Sequence, residues 1–477
     1  MRVLFVDPRA AERGYNLGIA YLCASLKAAE HECLVLDLNN IHRGEPVSTV
    51  RRVIERYRPG LIGISGVSWA FKSAREAAQY IRTVSKVPIV QGGIHASLVK
   101  DRILEHPEFD IVVVGEGEET IVDLANTLDA GGDLHRVKGL GFREDGRVVM
   151  NEERDPPKDL DGLPFPDFHP FGLRRIYSYP LLTSRGCPYT CTFCLSPVLS
   201  ERRWRARSPE NVIEELEHAV REYRIRAFNV RDDNLTLRMD RAKKFCDLLA
   251  AKNLGLRWSC NNGIFARWVD DELSGKMRKA GCVEVSLGVE SLVPEIFDEV
   301  RKGEHLKDIT NAVRALRGAG VRVRGFFILG LPHDTYENSM LTYRLAKELG
   351  LDDYGWNTLL PFPGTGAAEW VRDHGTILVP DVWDVRHGNI PFETPEFPQK
   401  ERREAYRKIA VSTGNYAAFY DYNQSVFHNV MPMAKVVLST DPKHIVFHAT
   451  RMARKFLRSS RYVPCEGGYH LRRSAFA

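Results

Sequence analysis

The sequence lacks three features that would assign it to a special class of protein. No stretch approaches the roughly 18 consecutive apolar residues of a transmembrane helix, and the N-terminus lacks the apolar run of a signal peptide. The formal net charge is only +5 over 477 residues, which argues against a general nucleic-acid-binding surface. The nine cysteines are an odd number, thinly spread. These absences predict a cytoplasmic protein whose thiols are free for packing or metal binding.

The composition is that of an ordinary globular protein. Hydrophobic residues make up 44% and charged residues 27% of the chain, so neither disorder nor a collagen-like repeat describes it. The length suggests about three domains.

Strand-like apolar runs alternate with amphipathic helical stretches in residues 1–150. The expected strands are Val3–Val6, Cys33–Asp37, Leu61–Ser65, Ile89–Gln91 and Ile111–Val114. This alternation predicts an α/β domain with a doubly wound parallel sheet, which binds ligands at the carboxyl ends of its strands. Residues 151–175 are rich in proline and predict a linker.

A second β/α series occupies residues 176–370. Its expected strands are Leu181–Ser184, Ala227–Val230, Arg257–Cys260, Val283–Leu287, Arg324–Leu329 and Asp353–Leu360. Six strands are too few for an eight-fold barrel, so a partial (β/α)6 TIM-like barrel is predicted. Residues 371–477 predict a mostly helical C-terminal domain.

The sharpest signal is a CxxxCxxC run formed by Cys187, Cys191 and Cys194. Structural zinc normally takes four protein ligands, and no second pair lies nearby to complete such a set. An iron–sulfur cluster usually takes four cysteines, so three would leave one iron open to another ligand. Three cysteines that merely pack in a core are the remaining alternative. The run follows the first expected barrel strand, at the rim where barrel enzymes place their chemistry.

A CxxxCxxC run at this place in a barrel resembles the radical S-adenosylmethionine (SAM) superfamily. The resemblance implies that Cys187, Cys191 and Cys194 hold a 4Fe–4S cluster whose open iron is chelated by SAM, with Phe193 near the adenine. An electron from the cluster would cleave SAM to methionine and a 5′-deoxyadenosyl radical.

Later barrel segments are similar to family motifs in the same order. Asp232, Asp233 and Asn234 follow the second strand, where the resemblance implies contact with the SAM methionyl group or a polar substrate; an Asx turn is the alternative. Glu290 and Ser291 end the fourth strand and match a GxES segment, which implies hydrogen bonds to the SAM ribose or amino group. Ile328 lies in a segment that resembles the one beside adenine.

The N-terminal domain resembles the cobalamin-binding domain of one large radical SAM class. The residues that suggest it are Ser65, Trp69, Gly92, Gly93, His95, Gly115, Glu116 and Gly117. Glycines allow the backbone to approach a bulky ligand. The D-x-H-x-x-G motif that supplies a cobalt-ligating histidine is absent, and His95 lies in a different loop, so His95 is not expected to ligate cobalt. Base-off binding without a protein histidine on cobalt is what the resemblance to this class implies. A nucleotide-type domain that only docks on the barrel is the alternative.

Two further features have weaker interpretations. Cys260 ends the third barrel strand and is a candidate catalytic thiol, although a packing role is the simpler explanation. The stretch 435–461 gathers basic residues around apolar ones, which fits a solvated helix face better than contact with a membrane.

These features together predict a cobalamin-dependent radical SAM methyltransferase that acts at an unactivated carbon. The expected cofactors are a 4Fe–4S cluster, SAM and cobalamin; the expected partners are a small-molecule or natural-product substrate and a flavodoxin- or ferredoxin-type electron donor, without nucleic acid. Two alternatives are a family enzyme that performs cyclisation, ring contraction or oxidation without methyl transfer, and a non-catalytic cobalamin or iron–sulfur carrier. RNA methylthiolation is disfavoured because only Cys23 and Cys33 lie in the N-terminal domain.

Overall fold

The structure is a computed structural model that describes residues 1–9, 14–40, 46–379, 390–413, 462–465 and 468–471. The chain forms two compact units, one of Met1–Ile176 with Arg461–Ala477 and one of Tyr177–Ser460. None of the described helices combines the length and the apolar character needed to cross a membrane.

The first unit is built on a seven-stranded sheet. Its strands are β1 (Arg2–Asp7), β2 (Glu32–Asp37), β3 (Leu61–Ser65), β4 (Ile89–Gly92), β5 (Ile111–Val113), β6 (Leu140–Glu144) and β7 (Arg147–Met150), in the order β2-β1-β3-β4-β5-β6-β7. The first five are parallel, and β6 and β7 extend the sheet as an antiparallel hairpin. The apolar sequence of β1 leaves only Arg2 exposed, as expected for a central parallel strand.

Helices cover this sheet between the parallel strands. They are α1 (Leu17–Ala28), α2 (Pro46–Tyr57), α3 (Phe71–Val84), α4 (Ile94–Val99) and α5 (Glu118–Asp129). The doubly wound sheet predicted from the sequence is confirmed. The hairpin was not foreseen, because its strand β7 is mostly exposed and lacks an apolar run.

The proline-rich stretch packs on the first unit instead of spanning open space. The backbone nitrogen of Asp167 donates to the carbonyl of Ala20, and the Asp167 carboxylate lies 2.9 Å from Lys27 Nζ. Phe168 and Phe171 meet Tyr15 edge-on. Apolar and charged contacts therefore hold this segment on α1 and the loop before it.

The second unit is built on a six-stranded parallel sheet. Its strands are β8 (Ser178–Leu181), β11 (Ala227–Val230), β12 (Arg257–Ile264), β13 (Cys282–Glu290), β14 (Arg322–Leu329) and β15 (Asp353–Thr358), in the order β15-β14-β13-β12-β11-β8. A short antiparallel pair, β9 (Ser184–Arg185) and β10 (Arg205–Ala206), follows β8. The partial barrel is confirmed.

Helices alternate with these strands. They are α6 (Ser196–Leu199), α7 (Pro209–Tyr223), α8 (Met239–Lys252), α9 (Asp271–Lys279), α10 (Pro294–Glu299), α11 (Leu306–Gly318), α12 (Tyr336–Glu348) and α13 (Gly366–His374). The start of helix α7 is fixed by an N-cap residue, because the Ser208 side chain accepts a hydrogen bond from Asn211 N and Pro209 occupies the first turn. On the sheet, Trp258 stacks on Phe228 at 5.7 Å and meets Phe245 of α8 at 5.9 Å.

The first barrel strand ends earlier than the sequence suggested. We expected Leu181–Ser184, whereas β8 ends at Leu181. Thr183 and Ser184 donate hydrogen bonds to the Asp232 carboxylate. The chain therefore leaves the sheet at this point and turns toward the cysteine loop.

The described part of the C-terminal region mixes helix with short strands. It contains β16 (Thr376–Ile377), β17 (Phe392–Glu393), α14 (Gln399–Thr413), β18 (Tyr462–Cys465) and β19 (Gly468–Leu471). The basic stretch 435–461, expected to form a solvated helix face with membrane contact as the alternative, lies outside the described residues.

Candidate active site

The cysteine loop follows β9 at the carboxyl end of the barrel strands. Cys187, Cys191 and Cys194 are free, half-buried thiols. Thr192 fixes the middle of the loop: its nitrogen donates to the Val300 carbonyl at 3.0 Å, and its carbonyl accepts from Ala367 N at 2.8 Å. The loop is thus fixed between the residue after α10 and the start of α13.

The three thiols lie close enough together to raise one another's pKa. Burial raises the pKa of Cys191 to about 12 and that of Cys194 to about 11, and the neighbouring thiols add to both shifts. Burial also raises the pKa of Cys187, and a hydrogen bond from the Tyr189 backbone is the largest influence that opposes this shift. Thiolates here therefore need a nearby positive charge, such as a metal centre provides.

No three His, Cys, Asp or Glu side chains among the described residues converge on a point where one metal ion would sit. In an iron–sulfur cluster each cysteine ligates a different iron, so the sulfurs stay apart. Half-buried thiols on one fixed loop fit such a cluster better than a single zinc ion.

Two apolar side chains predicted near adenine lie with this loop. Phe193 and Ile328 both pack at the edge of one apolar cluster that also includes Cys191. The buried centre of that cluster contains Leu331 and Leu359, which follow β14 and β15. Phe193 of the cysteine loop and Ile328 of β14 therefore pack against the same apolar cluster.

Asp232 is fully buried and its carboxylate is already occupied. It accepts from Thr183 N at 2.6 Å, Thr183 Oγ1 at 2.5 Å and Ser184 Oγ at 2.6 Å. Burial raises its pKa, and these hydrogen bonds oppose the shift. These hydrogen bonds show that Asp232 fixes the chain that enters the cysteine loop. They give no support to the direct contact between Asp232 and a ligand that was expected from the sequence.

Asp233 and Asn234 approach the loop itself. Asp233 accepts from Gly186 N at 3.1 Å, next to the first cysteine. Asn234 is buried and lies beside Cys187. Its Nδ2 has no hydrogen-bond partner among the described residues, and a buried donor of this kind is costly unless a ligand satisfies it.

Glu290 ends β13 as a buried carboxylate in an unusual backbone conformation. Its φ is +63°, in the left-handed region that glutamate rarely adopts, and a register shift interrupts the pairing of β13 with β14 between Gly288 and Glu290. Burial raises its pKa, while nearby Lys302 opposes the shift. Strain of this kind is a feature of binding and catalytic positions.

Ser291 and Cys260 make internal contacts instead of facing a ligand. Ser291 Oγ lies 3.2 Å from Thr342 Oγ1 and accepts from Val293 N, which ties β13 to α12 and α10. Cys260 is fully buried and its Sγ lies 3.4 Å from the Gly263 carbonyl. Burial raises the pKa of this thiol. A catalytic role for Cys260 finds no support in these contacts.

Sequence reasoning missed Lys302 and Glu304. Both are buried, and Lys302 Nζ lies 3.0 Å from Glu304 Oε2 and 3.7 Å from Glu290 Oε1. No motif marks a lone lysine after a short helix, so the signal is visible only once the fold brings the three side chains together.

The candidate cobalamin residues gather at the carboxyl ends of β3, β4 and β5. Gly93 has a φ of +95°, and a Cβ there would lie 2.9 Å from Ser65 Oγ and 3.2 Å from the Gly66 backbone. Ser97, which we did not single out, donates to the Gly93 carbonyl and accepts from Gly115 N, both at 3.0 Å. Ser97 therefore links the loops after β4 and β5.

The other residues at this edge differ in exposure. Trp69 follows β3 and Ile94 follows the neighbouring strand β4. Their side chains are 50% and 45% exposed, and no role for Ile94 was predicted from the sequence. Large exposed apolar side chains at a ligand-binding edge suit a broad, flat ligand. Gly92 ends β4, and Gly117, preceded by Glu116, is the N-cap of α5.

The His95 ring lies in the core of the first unit. It is 2% exposed and packs against Phe71, with 4.1 Å between ring centroids and an angle of 36° between the ring planes. Burial lowers its pKa to about 4, and the charges of His106 and Arg102 contribute to this shift. The ring therefore does not face the exposed edge where Trp69 and Ile94 lie.

Comparison with known proteins identifies both units. The model of the Radical SAM superfamily matches residues 181–346, and that of the B12 binding domain matches residues 6–125. An uncharacterized methyltransferase of Pyrococcus horikoshii is 30% identical over 372 residues, which cover 76% of this chain and 80% of that protein. The chain belongs to the cobalamin-dependent radical SAM family.

Two more similarities extend this finding. The anaerobic magnesium-protoporphyrin IX monomethyl ester cyclase of Rubrivivax gelatinosus is 29% identical, over 76% of this chain and 68% of the cyclase. The structure of the radical SAM methyltransferase TsrM from Kitasatospora setae, with cobalamin and a [4Fe-4S] cluster bound, superimposes with a TM-score of 0.74 at 18% identity, over 96% of this chain and 99% of TsrM. As a cobalamin-dependent radical SAM protein, the chain is an enzyme, and the predicted cofactors are confirmed at the level of the family.

Proposed function

We propose that this enzyme transfers a methyl group to an unactivated carbon of a small molecule. The single observation that carries the proposal is the fixed loop of three half-buried thiols at the same barrel rim as Glu290, in a chain that also has a B12 binding domain. The methyltransferases among its relatives support methyl transfer as the reaction. When bound, the cofactors supply a 5′-deoxyadenosyl radical and a cobalt-carried methyl group.

The chain's own residues bind and orient these groups. We assign Cys187, Cys191 and Cys194 as cluster ligands, with Asp232 holding the chain that leads into their loop. Phe193 and Ile328 provide apolar surface for the adenine, and Glu290 accepts hydrogen bonds from SAM. Asn234 Nδ2 offers a buried donor at the same loop.

In the first unit we assign the cobalamin site to the edge formed by β3, β4 and β5. Gly93 allows close approach of the backbone, and Trp69 with Ile94 supplies exposed apolar surface. Because the His95 ring is buried against Phe71, we do not assign it as a ligand of cobalt, in keeping with the base-off binding that the resemblance implies.

The substrate class and the electron source follow from the same proposal. We infer a small-molecule or natural-product substrate and a flavodoxin- or ferredoxin-type donor, because reductive cleavage of SAM needs one external electron. The near-balanced charge of the chain supports a partner other than nucleic acid.

The mass of the product tests the proposal. The reconstituted enzyme with cobalamin, SAM and reductant is supplied with candidate metabolites, in parallel with SAM that carries a CD₃ group. We expect a product heavier than its substrate by one CH₂ unit and labelled from CD₃-SAM. Formation of 5′-deoxyadenosine with an unlabelled product would instead reveal a reaction without methyl transfer.

Cyclisation or oxidation without methyl transfer is the second candidate. It is favoured by one specific observation, the similarity to anaerobic magnesium-protoporphyrin IX monomethyl ester cyclases. The absence of both 5′-deoxyadenosine and a new product would point to a non-catalytic carrier.

A further inference from the structure

Lys302 is a buried lysine placed between two buried carboxylates at the barrel rim. Its Nζ lies 3.0 Å from Glu304 Oε2 and 3.7 Å from Glu290 Oε1, and it donates a hydrogen bond to the Gly288 carbonyl. Lys302 is 9% exposed, Glu290 6% and Glu304 5%. Burying an unpaired charge destabilises a protein strongly. Removing any one of these three groups would therefore leave a buried charge without one of its partners.

The two carboxylates are held differently. Glu304 accepts a hydrogen bond from Arg267 N through Oε1, and its Oε2 lies 3.0 Å from Lys302 Nζ in an ion pair without hydrogen-bond geometry. Glu290 makes the longer of the two contacts, with its Oε1 3.7 Å from Lys302 Nζ. Glu304 therefore anchors the lysine, whereas Glu290 keeps its capacity to accept hydrogen bonds.

The backbone of β13 is shaped around this arrangement. A Cβ on Gly288 would lie 2.7 Å from Lys302 Nζ and would also collide with the Glu290 carboxylate. The register shift and the left-handed conformation at Glu290 follow directly after Gly288. At the end of β13 the regular strand pairing is therefore interrupted and the backbone is strained, and the Glu290 carboxylate lies next to the Lys302 ammonium.

We propose that Lys302 is a positioning residue for SAM, which acts by holding the Glu290 carboxylate charged and oriented toward the ribose or amino donors of the bound molecule. The proposal rests on the proposed function, because it takes Glu290 as a SAM contact. In it, Glu304 keeps Lys302 in place, and Lys302 itself does not touch SAM.

A double-mutant cycle on the reconstituted full chain tests the proposal. Dissociation constants for SAM are measured anaerobically for the parent, Lys302→Met, Glu290→Gln and the double variant. We expect each single substitution to raise the constant about tenfold to a hundredfold, from the loss of one charged hydrogen bond. The double variant should bind within about twofold of the weaker single variant, because the two residues act as one unit.

Other results of the cycle would overturn the proposal. If the two losses multiply in the double variant, Lys302 contacts SAM or the cluster independently of Glu290. An unchanged constant in Lys302→Met would show that the lysine has only a structural role. Lys243→Met is the matched control, because Lys243 also bridges two carboxylates, Asp270 and Glu272, but lies on α8; it should bind SAM like the parent.

A second variant covers failure of Lys302→Met to fold. Glu304→Gln keeps the lysine and removes the carboxylate charge that anchors it. When introduced into the parent protein, this substitution should weaken SAM binding. When introduced into the Glu290→Gln variant, it should change SAM binding little. A loss of SAM affinity in Glu304→Gln that persists in full in Glu290→Gln would contradict the proposal. The mass and CD₃ label of the product formed by the parent report on the proposed function separately, so either idea can fail alone.

Discussion

The backbone nitrogen of Thr183 donates a 2.6 Å hydrogen bond to the carboxylate of Asp232, and the Thr183 hydroxyl donates to the same carboxylate. These two residues are 49 positions apart and join the segment after β8 to the segment after β11. The bond therefore sets the direction in which the chain enters the cysteine loop, although neither side chain is a candidate ligand of iron.

We predict that Asp232→Asn weakens the cluster loop without unfolding the barrel. Asparagine keeps one acceptor oxygen but cannot accept all three hydrogen bonds, so we expect a loss of about 1.5–3 kcal/mol of stability. Thermal unfolding followed by circular dichroism and iron per chain after reconstitution measure the effect, and both should fall. Asp240→Asn is the control, since Asp240 is exposed and forms an ion pair with nearby Arg238. Parent values in Asp232→Asn would refute the positioning role.

We predict that Cys187→Ala, Cys191→Ala and Cys194→Ala each abolish SAM cleavage. Each removes one of three thiolates from a loop with no fourth cysteine nearby. Iron content and 5′-deoxyadenosine formation are the measurements, and Cys246→Ala, which changes a buried thiol of α8, should retain both. Full iron content in any of the three variants would remove that cysteine from the ligand set.

Local signals in the sequence predict much of the fold and the motif loops. The buried strands could be found because they are apolar runs, and β11 (Ala227–Val230) has the predicted bounds. The cysteine spacing was readable for the same reason, since CxxxCxxC is contiguous. Long-range partners were not readable: Asp232 was expected to face a ligand, but Thr183 and Ser184 occupy it.

The Lys302 arrangement shows the same limit more clearly. Its partners Glu290 and Glu304 belong to different segments, and Glu290 lies 3.7 Å from Nζ at the end of β13, where the strand register is interrupted. A single sequence carries no periodic or spacing signal for such a contact. The His95 ring is a similar case, because only the fold shows that it packs against Phe71.

We predict that Gly93→Ala impairs cobalamin binding and destabilises the first unit. Alanine at a φ of +95° is strained, and its Cβ would lie 2.9 Å from Ser65 Oγ. Gly146→Ala is the matched control, because Gly146 has a φ of +77° but nothing within 4 Å of a Cβ. Urea unfolding should show a loss of about 1 kcal/mol in the control and more in Gly93→Ala. Cobalamin retained per chain should fall only in Gly93→Ala; equal behaviour of the two variants would argue against crowding at this edge.

Base-off binding makes a spectroscopic prediction for His95. The ring is buried against Phe71, so the paramagnetic cobalt signal of the bound cofactor should show no hyperfine coupling to a histidine nitrogen. His95→Ala should leave that cobalt signal as in the parent protein. A histidine coupling that disappears in His95→Ala would overturn the assignment.

The final prediction concerns the stability of the first unit at acid pH. Burial lowers the pKa of His95 to about 4 from its usual 6.5, so the folded ring resists protonation that the unfolded ring accepts. Above pH 6.5 the ring is mostly neutral in both the folded and the unfolded protein, so it has little effect on stability. As the pH falls from about 6.5 toward 4, the unfolded ring takes up a proton that the folded ring does not, and the free energy of unfolding decreases. Between pH 7 and pH 5 the parent should lose about 2 kcal/mol more than His95→Gln, which cannot titrate. Burial also lowers the pKa of His106, but His106 is present in both proteins and its effect cancels. Urea unfolding at the two pH values measures the difference, with exposed His135→Gln as the control. Parallel pH profiles of the parent and His95→Gln would show that the buried ring is not the group responsible.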